Sequence, residues 1–179
     1  MGSIRNPEPV KIFCGILYSN DAILEKGLKK LEDFFGRIDL KSEVFDFNFT
    51  DYYNREMGEN LKKFFVSFEN GMSLEDCYEW KLFSNRIEQQ LSLSQEKPSR
   101  LINIDPGYVD LSKIVLLTTK DYSHRIYIGN GIYAEVTLIW RNGRFNVLSW
   151  TYPDYRTEIA LNFFTCVRNK LLDRSHFSP

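Results

Sequence analysis

Residues 10–19, VKIFCGILYS, are apolar on both faces of an extended chain, the pattern of a strand covered on two sides. The period then changes. In AILEKGLKKLEDFFG the residues Ile23, Leu24, Leu28, Leu31 and Phe35 fall on one helical stripe, with Asn20 or Asp21 able to cap it and Gly36 to stop it. SEVFDFNFT (42–50) alternates, Phe45, Phe47 and Phe49 against Asp46, Asn48 and Thr50, which predicts a strand. LKKFFVSFE is another, reached through the turn-prone NREMGEN. Ser73 with Asp76 reads as a capping box opening a helix whose stripe is Cys77, Trp80, Phe83, Ile87 and Leu91. A polar loop at 92–99 leads to the strand RLINID (100–105). The order β-α-β-β-α-β is the ferredoxin-like one, within an α+β class.

Beyond it, Pro106-Gly107 reads as a turn. Asp110 could cap a helix over 111–120 that places Leu111, Ile114, Val115 and Thr118 on one face. KIVLL has an equal claim as a strand by propensity; the helix is favoured here. Two Asn-Gly turns divide residues 118–150 into an antiparallel meander. A two-residue Asn142-Gly143 loop pairs Trp140 with Phe145 and Leu138 with Val147. A three-residue Gly129-Asn130-Gly131 loop pairs Ile128 with Ile132 and Ile126 with Ala134, and sets Arg125 opposite Glu135. One face then carries Ile126, Ile128, Ile132, Ala134, Val136, Leu138, Trp140, Phe145 and Val147, a core face. The other carries Arg125, Tyr127, Tyr133, Glu135, Thr137, Asn146 and Trp150. A last helix runs from about 157 to 172, with Ile159, Phe163, Cys166 and Val167 inward.

Bulk properties add limits. With 43% hydrophobic residues over 179, the chain reads as one globular domain, ordered from about 9 to 173. A net charge of −1 provides no global basic field, which makes nucleic acid the weaker partner. Cys14, Cys77 and Cys166 have no C-x-x-C spacing and sit in apolar patterns, as reduced thiols in a cytoplasmic protein do. The start has no signal core, no apolar run approaches a membrane span, and Asn6 breaks the myristoylation pattern.

The polar, aromatic face of the meander is where chemistry is expected. Arg125 held by Glu135 could be presented to an anion, or the two could simply pair across a solvated sheet. Lys120, Tyr108 and Asp105 would complete a cleft with the former. His124 falls by alternation on the core face at a strand entry, where a satisfied structural role competes with that of a general base. Asp105, His124 and Glu135 are the catalytic candidates; Tyr108, Lys120, Arg125, Tyr127, Tyr133, Tyr152 and Asp154 are the ligand-binding ones. Asp105, Asp121 and Glu135 would suit magnesium as in a metal-dependent nuclease, but Thr137 stands where that pattern expects Lys, so no metal is assigned. The rings and arginine of WTYPDYR (150–156) could stack a base or brace the last helix, and TDYYNREMG (50–58) could be a cleft wall. No phosphate-binding glycine motif is present, and TTKD lacks the spacing of the guanine-reading T-K-x-D, because two residues after Lys120 stands Tyr122.

Through TDYYNREMG, LKKFFVSFE, NIDPGY, TTKDYSHRIYIGNGIYAEVTL and WTYPDY the sequence resembles a bacterial family known only as a domain of unknown function. The resemblance covers much of residues 10–156 and implies that the polar face and the DPGY segment belong to the family's core. Some relatives are labelled GTP-binding, a label the absent motifs do not support. The expectation is a binder of an anionic small molecule or nucleotide, with catalysis left open; the alternative is an RNA- or protein-binding module. No cofactor or oligomeric state follows from these residues.

Overall fold

A computed structural model describes residues 2–92 and 100–173; the polar loop expected at 92–99 lies, after Ser92, outside them. In chain order the elements are β1 (Val10–Tyr18), α1 (Asp21–Phe35), β2 (Ile38–Lys41), β3 (Phe45–Asp46), α2 (Asn54–Met57), β4 (Lys62–Met72), α3 (Tyr78–Gln90) and β5 (Ile102–Val109). Then follow β6 (Lys113–Thr118), β7 (Ile126–Gly129), β8 (Ile132–Arg141), β9 (Arg144–Val147), a 3-10 turn (Pro153–Arg156) and α4 (Glu158–Asp173).

The nine strands make one antiparallel sheet, β2-β4-β1-β5-β6-β8-β7, with β3 on β4 and β9 on β8. Its first part, β5-β1-β4-β2 with α1 and α3 as crossovers, is the ferredoxin-like arrangement that the element order predicts. β1 is central and buried at every residue. Its alternate side chains feed two cores: Ile12, Cys14 and Ile16 face α1 and α3, while Phe13 faces α4. The protein is therefore three layers, helices on both sides of the sheet. No helix among the described residues is long and apolar enough to cross a membrane.

Several local expectations change. The KIVLL segment is strand β6, not a helix. Ile114 and Leu116 join the α4 core while Val115 and Leu117 join the other, so consecutive apolar residues are buried on both faces, as a strand allows. Pro106-Gly107 lies inside β5; the turn comes at Asp110, whose Oδ1 accepts from the N–H of Ser112 (2.6 Å) and Lys113 (2.7 Å). The alternating stretch 42–50 contributes only β3. Ser42 interrupts that edge: its Oγ takes the Phe65 N–H (2.9 Å), and β2, which the pattern did not announce, occupies the neighbouring part of β4. The capping box is not made, since Asp76 adopts a left-handed backbone (φ 55°) and Ser73 bonds the Glu75 N–H instead. Asn20 does cap α1, accepting from the Ile23 N–H at 3.1 Å.

Both Asn-Gly turns close hairpins, and both fold onto the same edge of β8. The second has the predicted pairs. The first keeps Ile126 opposite Ala134 but pairs Gly129 with Ile132, with a bulge at Ile128 absorbing the extra residue. A second bulge lies on β8: Val136 faces Val115 and Leu138 faces Ile114, leaving Thr137 as an extra residue. Leu138 and Trp140 thus turn to the α4 core, while Ile132, Ala134 and Val136 stay with α3. Ile126, assigned to the core, is 72% exposed at the outer edge of the sheet, and Val147 is exposed too.

Gly107 fixes how closely β5 approaches its neighbours. A Cβ there would lie 2.3 Å from the Val115 carbonyl oxygen and 2.6 Å from the Phe13 ring. Gly107→Ala is expected to destabilise the protein by about 3 kcal/mol or more, measured by urea denaturation; an unchanged midpoint would contradict this packing.

Candidate functional site

β5 and β6 pair only between Gly107–Val109 and Ile114–Leu116. Beyond Pro106, which has no N–H for a ladder, they part and the sheet forks. The backbone of β5 does not go unpaired there. The Ile104 N–H donates to Glu88 (2.7 Å) and its carbonyl accepts from Lys81 Nζ (2.9 Å), so side chains of α3 stand in for the missing strand. These come from a polar stripe on α3, Lys81, Ser84 and Glu88, all buried alongside the apolar Trp80 and Ile87.

A cleft of about 610 Å³ occupies the fork. Lys81 and Asn85 reach it from α3. Phe47, Phe49, Tyr52 and Tyr53 wall one side, the ends of β5 and β6 another, and Tyr152 to Tyr155 a third. Two ion pairs stand in it: buried Lys63 with buried Asp154, and buried Lys81 with the half-buried Asp105 at 3.1 Å. Asn103 also donates to Asp105 (2.7 Å). Burial alone would push the Asp105 carboxyl up, but the charges of Lys81 and Lys63 and these hydrogen bonds hold it below the ordinary carboxylate range. Burial does push Glu88 up, although Lys81 opposes it.

A second network sits at the rim. Arg125 Nε donates to Glu135 (2.7 Å), Nη1 to the Lys120 carbonyl (3.0 Å) and Nη2 to the Tyr152 hydroxyl (2.7 Å). Glu135 is buried and also meets His124 Nε2 at 3.2 Å. His124 is not on the core face: it lies in the turn before β7, so strand alternation does not govern it, and its ring stacks on Trp150 (5.1 Å, 13°). All three guanidinium nitrogens are engaged. Arg125 therefore joins the Lys120 segment to the Tyr152 segment, and those two bring Lys120 and Tyr152 to the cleft.

A family model described as a domain of unknown function (DUF4416) matches residues 8–171. The chain belongs to that family. No curated protein matches it. The matched span contains the fork, the cleft and the Arg125 network.

Of the candidates read from sequence, Asp105, Lys120, Tyr152 and Asp154 meet in the cleft. Arg125, Glu135 and His124 form the network behind Lys120 and Tyr152. Tyr108 faces the other way, edge-on to Trp80 in the α1/α3 core. Tyr127 and Tyr133 pair with each other (5.5 Å) on the outer hairpin and are not among the cleft residues. Asp105 and Glu135 are held by different cations, and no three His, Cys, Asp or Glu side chains converge among the described residues. Lys63, Lys81, Arg100 and Asn103 are cleft residues that sequence reasoning missed. The signal for Lys81 was present: Lys81, Ser84 and Glu88 recur at helical spacing beside the apolar stripe.

Two outcomes follow. Arg125→Ala should cost about 3 kcal/mol, because Glu135 is left buried without its cation; chemical denaturation measures it, and a loss below about 1 kcal/mol would mark the pair as a surface one. Asp105 has a depressed folded value, so its contribution to stability is complete above the ordinary carboxylate range and is lost as pH falls through that folded value. Stability measured from pH about 5 downward should fall less steeply in Asp105→Asn than in the wild type.

Proposed function

We propose that the cleft binds a small anionic molecule. Four cations, Lys63, Lys81, Arg100 and Lys120, line it against three carboxylates, Glu56, Asp105 and Asp154. Lys63 and Lys81 are neutralised by the aspartates, and Arg100 meets Glu88 (3.2 Å) and Glu56 (3.6 Å). Lys120 is different. Among the described residues no carboxylate lies within 4 Å of it; its ammonium sits 4.4 Å above the centre of the Tyr52 ring and 3.4 Å from that hydroxyl. One donor reaches that hydroxyl, and the ring face leaves the others open toward solvent, ready for phosphate or carboxylate.

The observation that carries this reading is the exposed Lys120 without a carboxylate, tethered through its own carbonyl to Arg125, at a cleft with a buried charged interior. Arg100 agrees with it: its Nε is buried with no hydrogen-bond partner among the described residues. A cleft of this size and mixed aromatic and polar lining is what small-molecule sites present. The alternative of a protein- or RNA-binding surface draws on the exposed Tyr122, Ile126 and Tyr127, which are not cleft residues.

Lys120→Ala is expected to leave the melting temperature unchanged, as the side chain is exposed, and to weaken binding of phosphorylated small molecules about tenfold or more. Thermal shift of both proteins with inorganic pyrophosphate, sugar phosphates and nucleoside monophosphates checks this. No shift of the wild type by any of them, or equal shifts of the two proteins, would overturn the reading.

A further inference from the structure

The inner part of the cleft differs from its mouth, and resting on the anion reading above, we infer that the ligand is a phosphorylated sugar or polyol, its hydroxyl-bearing part inward and its phosphate at Lys120. The Lys63–Asp154 and Lys81–Asp105 pairs leave the interior close to electrically neutral. An anion placed there would confront both aspartates. What the pairs offer is spare ammonium N–H donors beside spare carboxylate lone pairs. A hydroxyl group, which donates and accepts at one atom, suits such neighbours.

The Tyr155 hydroxyl supplies the independent observation. Tyr155 is 1% exposed and lines the cleft, yet its hydroxyl has no hydrogen-bond partner among the described residues. It borders Gly15 of β1, where a Cβ would come within 3.0 Å of it and 3.4 Å of Lys63 Cε. Gly15 also pairs with Asp105 across the β1–β5 ladder, so hydroxyl, ammonium and carboxylate surround one position on the sheet. Burial, with Asp105 and Asp154 nearby, holds that hydroxyl far above the ordinary tyrosine range, so it remains a donor at neutral pH. A buried hydroxyl without a partner is costly, and a ligand hydroxyl satisfies it.

Ring geometry provides no two-sided slot for a nucleobase. A base held on both faces needs two parallel rings, but the wall rings meet on edge: Tyr52 and Tyr53 at 88°, Phe47 and Tyr53 at 73°, Phe47 and Phe49 at 69°. They form no parallel slot. Single ring faces of this kind suit the C–H face of a sugar.

The test is isothermal titration of the full chain with ribose 5-phosphate, glucose 6-phosphate, the two free sugars, inorganic phosphate and AMP. We expect a sugar phosphate to bind at least tenfold more tightly than inorganic phosphate, its free sugar or AMP. Tyr155→Phe, which removes no existing hydrogen bond, should retain the wild-type melting temperature, weaken the sugar phosphate about tenfold and leave inorganic phosphate unchanged; Lys120→Ala should weaken both. If phosphate and AMP bind through Lys120 but the sugar adds nothing, or Tyr155→Phe binds the sugar phosphate as the wild type does, the sugar inference fails and the anion site stands. If none of the phosphorylated compounds binds, both fail.

Discussion

A peptide unit that leaves its ladder inside a protein must find other partners, at a cost of a few kcal/mol if it does not. Ile104 is fully buried at the point where β5 has already lost β6, and Glu88 and Lys81 satisfy its N–H and carbonyl. The fork depends on that substitution. With a purely apolar α3 the two strands would have to zip together and the cleft would close. The substitution also dictates what the cleft contains, for a buried Lys81 requires Asp105, and Asp105 in turn is steadied by Asn103.

Buried ion pairs recur and do the same mechanical work elsewhere. Lys11, fully buried, reaches Asp39 at 2.5 Å, so that β1 is fastened to β2, and Lys170 on α4 joins the same carboxylate at 3.2 Å. Lys63 fastens β4 to the 3-10 turn, and Arg125 fastens the Lys120 segment to Tyr152. Such pairs add little net stability against a well-packed apolar substitute, but losing one partner is expensive. Their effect is to fix which segments meet. The cleft is lined by several separated stretches of chain, and Lys63, Lys81 and Arg125 tie three of its joins.

The sheet-forming half of this design was legible in the sequence. Two-sided apolar runs marked β1, hairpin arithmetic set Arg125 opposite Glu135, and Asn142-Gly143 specified its register. The same reasoning failed where tertiary context outweighed local pattern. Asp110 looks like a helix cap because a side-chain oxygen accepting from the following N–H groups starts a tight turn and a helix alike. DPGY looks like a turn, yet its glycine serves close packing within a strand. Strict alternation predicts one polar face along the whole of β8, whereas the Thr137 bulge shifts the alternation midway and turns Leu138 and Trp140 to the α4 core. Lys63 could not be singled out from pattern alone, since a lysine in a strand is ordinarily a solvated one.

The rims of the sheet have a consequence for the molecule's neighbours. On one side β4 is flanked by two short strands broken at Ser42; on the other, β8 is flanked by β7 and β9, with Trp150 and Thr151 occupying the Val136 and Thr137 carbonyls between them. Neither rim offers a long unbroken row of backbone donors and acceptors. A nine-stranded sheet is ordinarily an invitation to further strands, and here an incoming chain would find only pieces a few residues long, which guards a β-rich protein against edge-to-edge polymerisation.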